Sequence, residues 1–160
     1  MKIILTCALI VVLLFVSAFM ARRRFGLLGL ALAAGSLLSG IWAFDAGLIV
    51  GALGIPSGVV SEAVVIMAII LLPAGVILFH GYTYKTLIGR VFGAGLFTLL
   101  AFAFLIEPLG RALDLSGSGA NIFQWLVNNK TMIIGSGLIL AVIDLFLTKP
   151  IQQPNKKPKH

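Results

Sequence analysis

IILTCALIVVLLFVSAFMA-RRR-FGLLGLALAAGSLLSGIWAF-D, residues 3–45, decides the class of this chain. Ile3–Ala21 is 19 residues without a charge, Arg22, Arg23 and Arg24 follow, and Phe25–Phe44 adds 20 more uncharged residues before Asp45. Each run is long enough as a helix, at about 1.5 Å per residue, to approach the ~30 Å of bilayer hydrocarbon. A cleaved signal peptide is the rival reading of the first run, since Lys2 precedes it and Ala18-Phe19-Met20-Ala21 resembles a cleavage site. The run exceeds the ~7–15 residues of a signal-peptide apolar region, and the three arginines behind it resist export. An uncleaved span is the better reading.

The rest of the 160 residues agrees. Apolar residues make up 60% and charged residues 11%, against ~45–50% and ~25% in soluble domains. A globule of this length could not bury so many apolar side chains, which excludes a soluble enzyme, a disordered chain and a disulfide scaffold. The net charge of +7 orients spans and meets anionic lipid in a membrane protein. With one cysteine, Cys7, no internal disulfide forms. Cys7 reads as a small apolar filler of the first helix.

Further along, Ala46–Gly58 is apolar but broken by Gly47, Gly51, Gly54, Pro56 and Gly58, which makes it a re-entrant or interfacial stretch rather than a span. Val59–Phe79 is a run of 21 residues carrying only Glu62. HGYTYKTLIGR, 80–90, reads as a loop. Val91–Ile106 follows, extendable backward through Leu87-Ile88 and ended by Glu107-Pro108. Residues 108–130 read as a surface connector holding a short helix with Phe123, Val127 and the boundary anchor Trp125. Thr131–Leu147, containing Asp144, is the last run. Trp42, Tyr82 and Tyr84 read as interface aromatics. The expectation is an all-α, polytopic integral membrane helical bundle of about five transmembrane helices, or four if one segment only re-enters or lies at the interface. It occupies residues 1–148. Residues 149–160 form a flexible polybasic tail whose Lys149, Lys156, Lys157 and Lys159 suit anionic lipid headgroups.

Counting Lys and Arg gives an orientation. With the N-terminus outside and five crossings, nine fall in the cytoplasm (Arg22, Arg23, Arg24, Lys85, Arg90 and the four tail lysines) and three outside (Lys2, Arg111, Lys130). The opposite orientation inverts the ratio and violates the positive-inside rule.

Chemistry-bearing patterns are sparse. His80 and His160 fall in a loop and at the last residue, so no metal site or cofactor is expected. Gly117-Ser118-Gly119 reads as a loop, and a serine–lysine pair with Lys130 is a remote option. The tail lacks the aromatic or arginine interleaving of nucleic-acid binders. Glu62 and Asp144 are intramembrane ionisable candidates, each close to a helix end and on opposite faces. Glu62 suits a first-turn acid, and Asp144 suits a neighbour of Lys149. Gly89/Gly93 is the leading helix-packing pair, with Gly35/Ser39, Ser36/Gly40, Gly47/Gly51 and Gly54/Gly58 beside it. Gly137, outside any such pair, is expected to tolerate a larger side chain better than Gly93.

The leading span, the basic-glycine turn ARRRFGLLGL (21–30) and the turn into a later span, KTLIGRVFGAGLFTLL (85–100), resemble the colicin V production protein family. That family comprises small bacterial inner-membrane proteins. Matching positions are Arg22–Gly26, Gly29, Gly89, Arg90 and Gly93, over about residues 1–106. The fifth segment and the basic tail depart from the family's usual four-span plan. The resemblance implies a bacterial cytoplasmic membrane, a part in toxin export or envelope homeostasis, and no catalytic residue. Two functions stay open: a non-enzymatic envelope protein packing as a homo-oligomer or against a membrane protein partner, or a small transporter, channel or holin-like pore.

Overall fold

A computed structural model describes residues 2–56, 58–79, 86–113 and 119–147. Six α-helices follow one another among them: α1 (Lys2–Ala21), α2 (Phe25–Trp42), α3 (Ala46–Ala52), α4 (Val59–Phe79), α5 (Leu87–Ala112) and α6 (Gly119–Phe146), with a 3-10 turn at Ala43–Asp45. The fold is an all-α bundle without strands among the described residues. Four helices, α2, α4, α5 and α6, are long and apolar enough to cross a membrane, which is the pattern of a multi-pass membrane protein. The 20 residues of α1 pack along α5.

At the centre α2 and α5 touch each other and share α4 and α6 as neighbours. Phe25, Leu28, Leu32, Phe97, Leu100, Leu105 and Ile106 fill the space between the helices. The outward faces stay apolar: Leu9, Val12, Leu13, Val76, Phe92, Leu99 and Ile139 are all exposed. In lipid such faces add no drive to association, so close backbone contact must hold the helices together. Glycines supply it on α2. A Cβ at Gly35 would overlap the Ile70 backbone carbonyl of α4, and one at Gly29 would lie 2.8 Å from the Ala141 Cβ of α6. Pro73 lies within α4 and deprives the Ile69 carbonyl of its helical donor, a local break in the ladder beside this crossing that lipid-buried helices tolerate.

Several expectations change. Pro108 does not end α5, which continues to Ala112. A proline removes one ladder bond but leaves the turns on either side intact when neighbouring helices hold them. Nor is 108–130 a connector: residues 119–130 are the first part of one continuous 28-residue α6, about 42 Å long. Its Asn-Asn-Lys interruption places no helix breaker in the chain. A Cβ at Gly110 would lie 3.1 Å from the Phe123 ring, so α6 runs close along α5 here, and Lys130 reaches Glu107 at 2.9 Å across the same contact. Segment 46–58 holds only the seven-residue α3, about 10 Å long and too short to cross. A glycine-ended turn closes α3: Gly54 adopts φ +69° while its N–H bonds the Gly51 carbonyl and that of Ile55 bonds Val50. Gly51, Gly54 and Gly58 meet no helix among the described residues, so these spaced glycines pack against none of them.

The expected tail at 149–160, most of the loop at 80–90, and Ser118 and Asp114 lie outside the described residues, as do His80, His160, Tyr82 and Tyr84.

Candidate functional site

Charges among the described residues gather in two layers at opposite ends of the bundle. One is built around the arginine turn. Arg22 ends α1 in the left-handed region at φ +57°, with its N–H on the Ala18 carbonyl. That reversal brings Arg23 to the C-terminus of α4, where Nε donates to the Leu78 carbonyl at 3.0 Å and Nη2 to the Phe79 carbonyl at 2.7 Å. These carbonyls are helix-end acceptors without intrahelical partners, and a cation there also meets the negative end of the helix dipole. Arg24 is the N-cap residue of α2.

Two helices from further along the chain close this end. Asp144 of α6 accepts the Gly26 N–H at 2.9 Å through Oδ2, so α6 supplies the N-terminal cap of α2 across 118 positions of sequence. The lone pairs satisfy an orphan amide, and the carboxylate sits at the positive end of that dipole. Glycine at 26 is required by the close approach, because a Cβ would stand 2.6 Å from the Ala141 carbonyl oxygen. Arg90, in the first turn of α5, lays its guanidinium 4.7 Å from the Phe19 ring centroid, and Nη2 donates to the Phe19 carbonyl at 3.3 Å. Its Nε is buried without a hydrogen bond among the described residues. The ends of α1, α4 and α6 and the starts of α2 and α5 therefore meet in one layer.

The opposite layer contains Glu62, half-buried in the first turn of α4, and a second set on α5 and α6. Glu107 Oε2 accepts from Lys130 at 2.9 Å, and Glu107 Oε1 lies 3.9 Å from Arg111. Beside them a cavity of about 290 Å³ opens between α2, α4 and α5, with Ser36, Ser39, Ile66, Ile70, Phe104, Pro108 and Arg111 in its wall. The Ser39 hydroxyl donates to the Ser36 carbonyl at 2.8 Å. From Arg90 to Glu107 is about 26 Å of helix and from Lys130 to Asp144 about 21 Å, so each pair fits across the ~30 Å of hydrocarbon by reaching toward the headgroups.

The residues singled out in the sequence thus distribute as follows. Arg22, Arg23 and Arg24 come together with Asp144, while Glu62 lies at the other end, as its spacing required. Gly93 is buried and Gly89 half-buried on α5. Gly137 is not in open space: a Cβ there would meet Leu100 at 2.8 Å. The sequence reading missed the cap given by Asp144, the seat of Arg90 on Phe19 and the cavity. The first two join residues far apart in sequence and leave no local signal; the third had one, a proline inside an apolar helix. No protein-family model, curated protein or solved structure matches the chain.

Proposed function

We propose that the chain is a non-enzymatic envelope protein of the bacterial cytoplasmic membrane, associated with secretion in the manner of the colicin V production family it resembles. It acts by packing, against further copies of itself or against a membrane protein partner. The observation that supports this reading is the filling of the space between the two charged layers. Phe25, Phe97, Leu28, Leu32, Leu100, Leu105 and Ile106 occupy it, and the hydroxyl of the buried Thr98 bonds its own helix, at the Ala94 carbonyl. A conducting path instead needs polar groups facing a common lumen. Gly26 and Gly29, both in the motif that carries the family resemblance, are sites of close helix approach, which favours a packing role for that motif.

In this reading the N-terminus is outside and the arginine layer cytoplasmic, by the positive-inside rule. Five crossings are favoured by the meeting of the ends of α1, α4 and α6 with the starts of α2 and α5. The lysine-rich tail lies over anionic headgroups. Purified protein in liposomes is expected to conduct no ions and release no trapped solute. Flux that Glu62→Gln or Asp144→Asn abolishes would overturn the reading in favour of a transporter, channel or holin-like pore. Reporter fusions at 45 and 108–130 should read outside, and those at 22–24, 80–90 and 150–160 cytoplasmic.

A further inference from the structure

We propose that the cavity between α2, α4 and α5 seats a zwitterion pairing an ammonium with a phosphate, the phosphoethanolamine group, borne by a membrane lipid or free. The inference goes beyond the packing role, and neither depends on the other.

Location comes first. The cavity lies at the bundle end holding Glu107, Arg111 and Lys130, which is headgroup depth for helices of this length. Ile66, Ile70 and Phe104 give it an apolar inner wall, with charge at the rim, as expected where a lipid's polar group meets its chains.

Its polar chemistry has two halves. On the anion side stands Arg111. Glu107 already accepts from Lys130 at 2.9 Å, and Arg111 is held only loosely, at 3.9 Å with its side chain 60% exposed. Its planar fork of N–H donors matches a phosphate, for which it can exchange that distant carboxylate. On the ammonium side stand acceptors. Pro108 has no N–H, so the Phe104 carbonyl one turn earlier has lost its helical donor, and both residues line the cavity. Ser39 is 8% exposed and spends its proton on the Ser36 carbonyl, so its oxygen is left to accept. With Glu107 these acceptors suit the three N–H donors of a primary ammonium. Phosphatidylcholine, whose quaternary nitrogen carries no hydrogen, cannot supply them, and phosphatidylglycerol has no ammonium.

The test uses the full chain, extracted in a mixture of the three phospholipids and read by native mass spectrometry, beside a calorimetric titration with free phosphoethanolamine. Phosphatidylethanolamine should be retained about tenfold over the other two, the scale of a charge-assisted hydrogen bond. Arg111→Gln should lower retention of all three lipids, whose phosphate it meets alike, and weaken binding of free phosphoethanolamine about tenfold. Pro108→Ala, which restores a donor to Phe104 and so does not threaten folding, should weaken the phosphatidylethanolamine preference severalfold. Lipid preference without binding of the free compound assigns the seat to the membrane lipid; binding of the free compound without lipid preference assigns it to a soluble ligand; both support the proposal. Equal retention with no binding of free phosphoethanolamine overturns it. So does a preference for phosphatidylglycerol, a phosphatidylethanolamine preference that survives Pro108→Ala undiminished, or retention that Arg111→Gln leaves unchanged.

Discussion

The two charged ends of the bundle use similar residues for different work. At the arginine end, Arg23, Arg90 and Asp144 reach across to other helices and meet backbone groups: the Leu78, Phe79 and Phe19 carbonyls and the Gly26 amide. Each is half-buried. At the cavity end, Glu107 pairs with Lys130 and Arg111, among the described residues no other partner is seen for these three, and the Glu107 and Arg111 side chains are about 60% exposed. A charge that satisfies a helix terminus gains twice, from the orphan group and from the dipole. A charge paired with another exposed charge gains little, because water screens it and two long side chains lose freedom. The arginine end is therefore the fastened end, and the cavity end can afford exchange of partners.

Substitutions can break this contrast, beginning with the largest effect. Asp144→Ala removes the cap of α2 and leaves the Gly26 N–H without its acceptor, an expected loss of about 2 kcal/mol. It should appear as a lower thermal midpoint of the monodisperse protein in detergent. Asp144→Asn keeps an acceptor and should lose about half as much. Arg23→Gln takes a charge-assisted pair of bonds from the end of α4, for about 1.5 kcal/mol. At the other end, Glu107→Gln should cost below about 0.5 kcal/mol by the same measure. An Asp144→Ala midpoint no lower than that of Glu107→Gln would show that the two ends are not distinguished by fastening at all.

How much of this was legible beforehand follows from the distance over which each feature is decided. Val59–Phe79 could be read directly, because an apolar run with a single acid in its first turn fixes a helix by local composition, and α4 has those bounds. The start of α2 at Phe25 could be read for the same reason. The unity of α6 could not. Asn128-Asn129-Lys130 lowers local hydropathy enough to suggest a loop, yet Lys130 is neutralised by Glu107, 23 positions earlier. Spacing singled out Gly35 and Ser39 but could not name Ile70 as the backbone that Gly35 meets. For the candidate site, the arginines were evident as topology signals, whereas their structural work depends on α4 and α6 ending, and α5 starting, in one plane. Pro108 was visible too, but a proline reads as a stop until neighbouring helices show that the turn continues around it.

The smallest expected effect concerns Arg22, the one residue of the arginine turn whose backbone, rather than its side chain, performs the reversal. Among the described residues it is the non-glycine with positive φ, at +57°, and its side chain is exposed. A left-handed non-glycine residue carries about 1 kcal/mol of steric strain, which Arg22→Gly would relieve. Glycine also has more freedom to lose on folding, by up to about 1 kcal/mol. The two terms nearly cancel, so the midpoint in detergent should shift by less than the equivalent of about 0.5 kcal/mol in either direction. Arg22→Val keeps the strain and adds branching at Cβ, so it should destabilise by about 1 kcal/mol or more. Comparing these variants separates conformation from charge, because both remove the guanidinium. If they lost stability equally, the Arg22 side chain rather than its backbone would be holding the turn, and Arg22 would join Arg23 and Arg90 as a fastening charge.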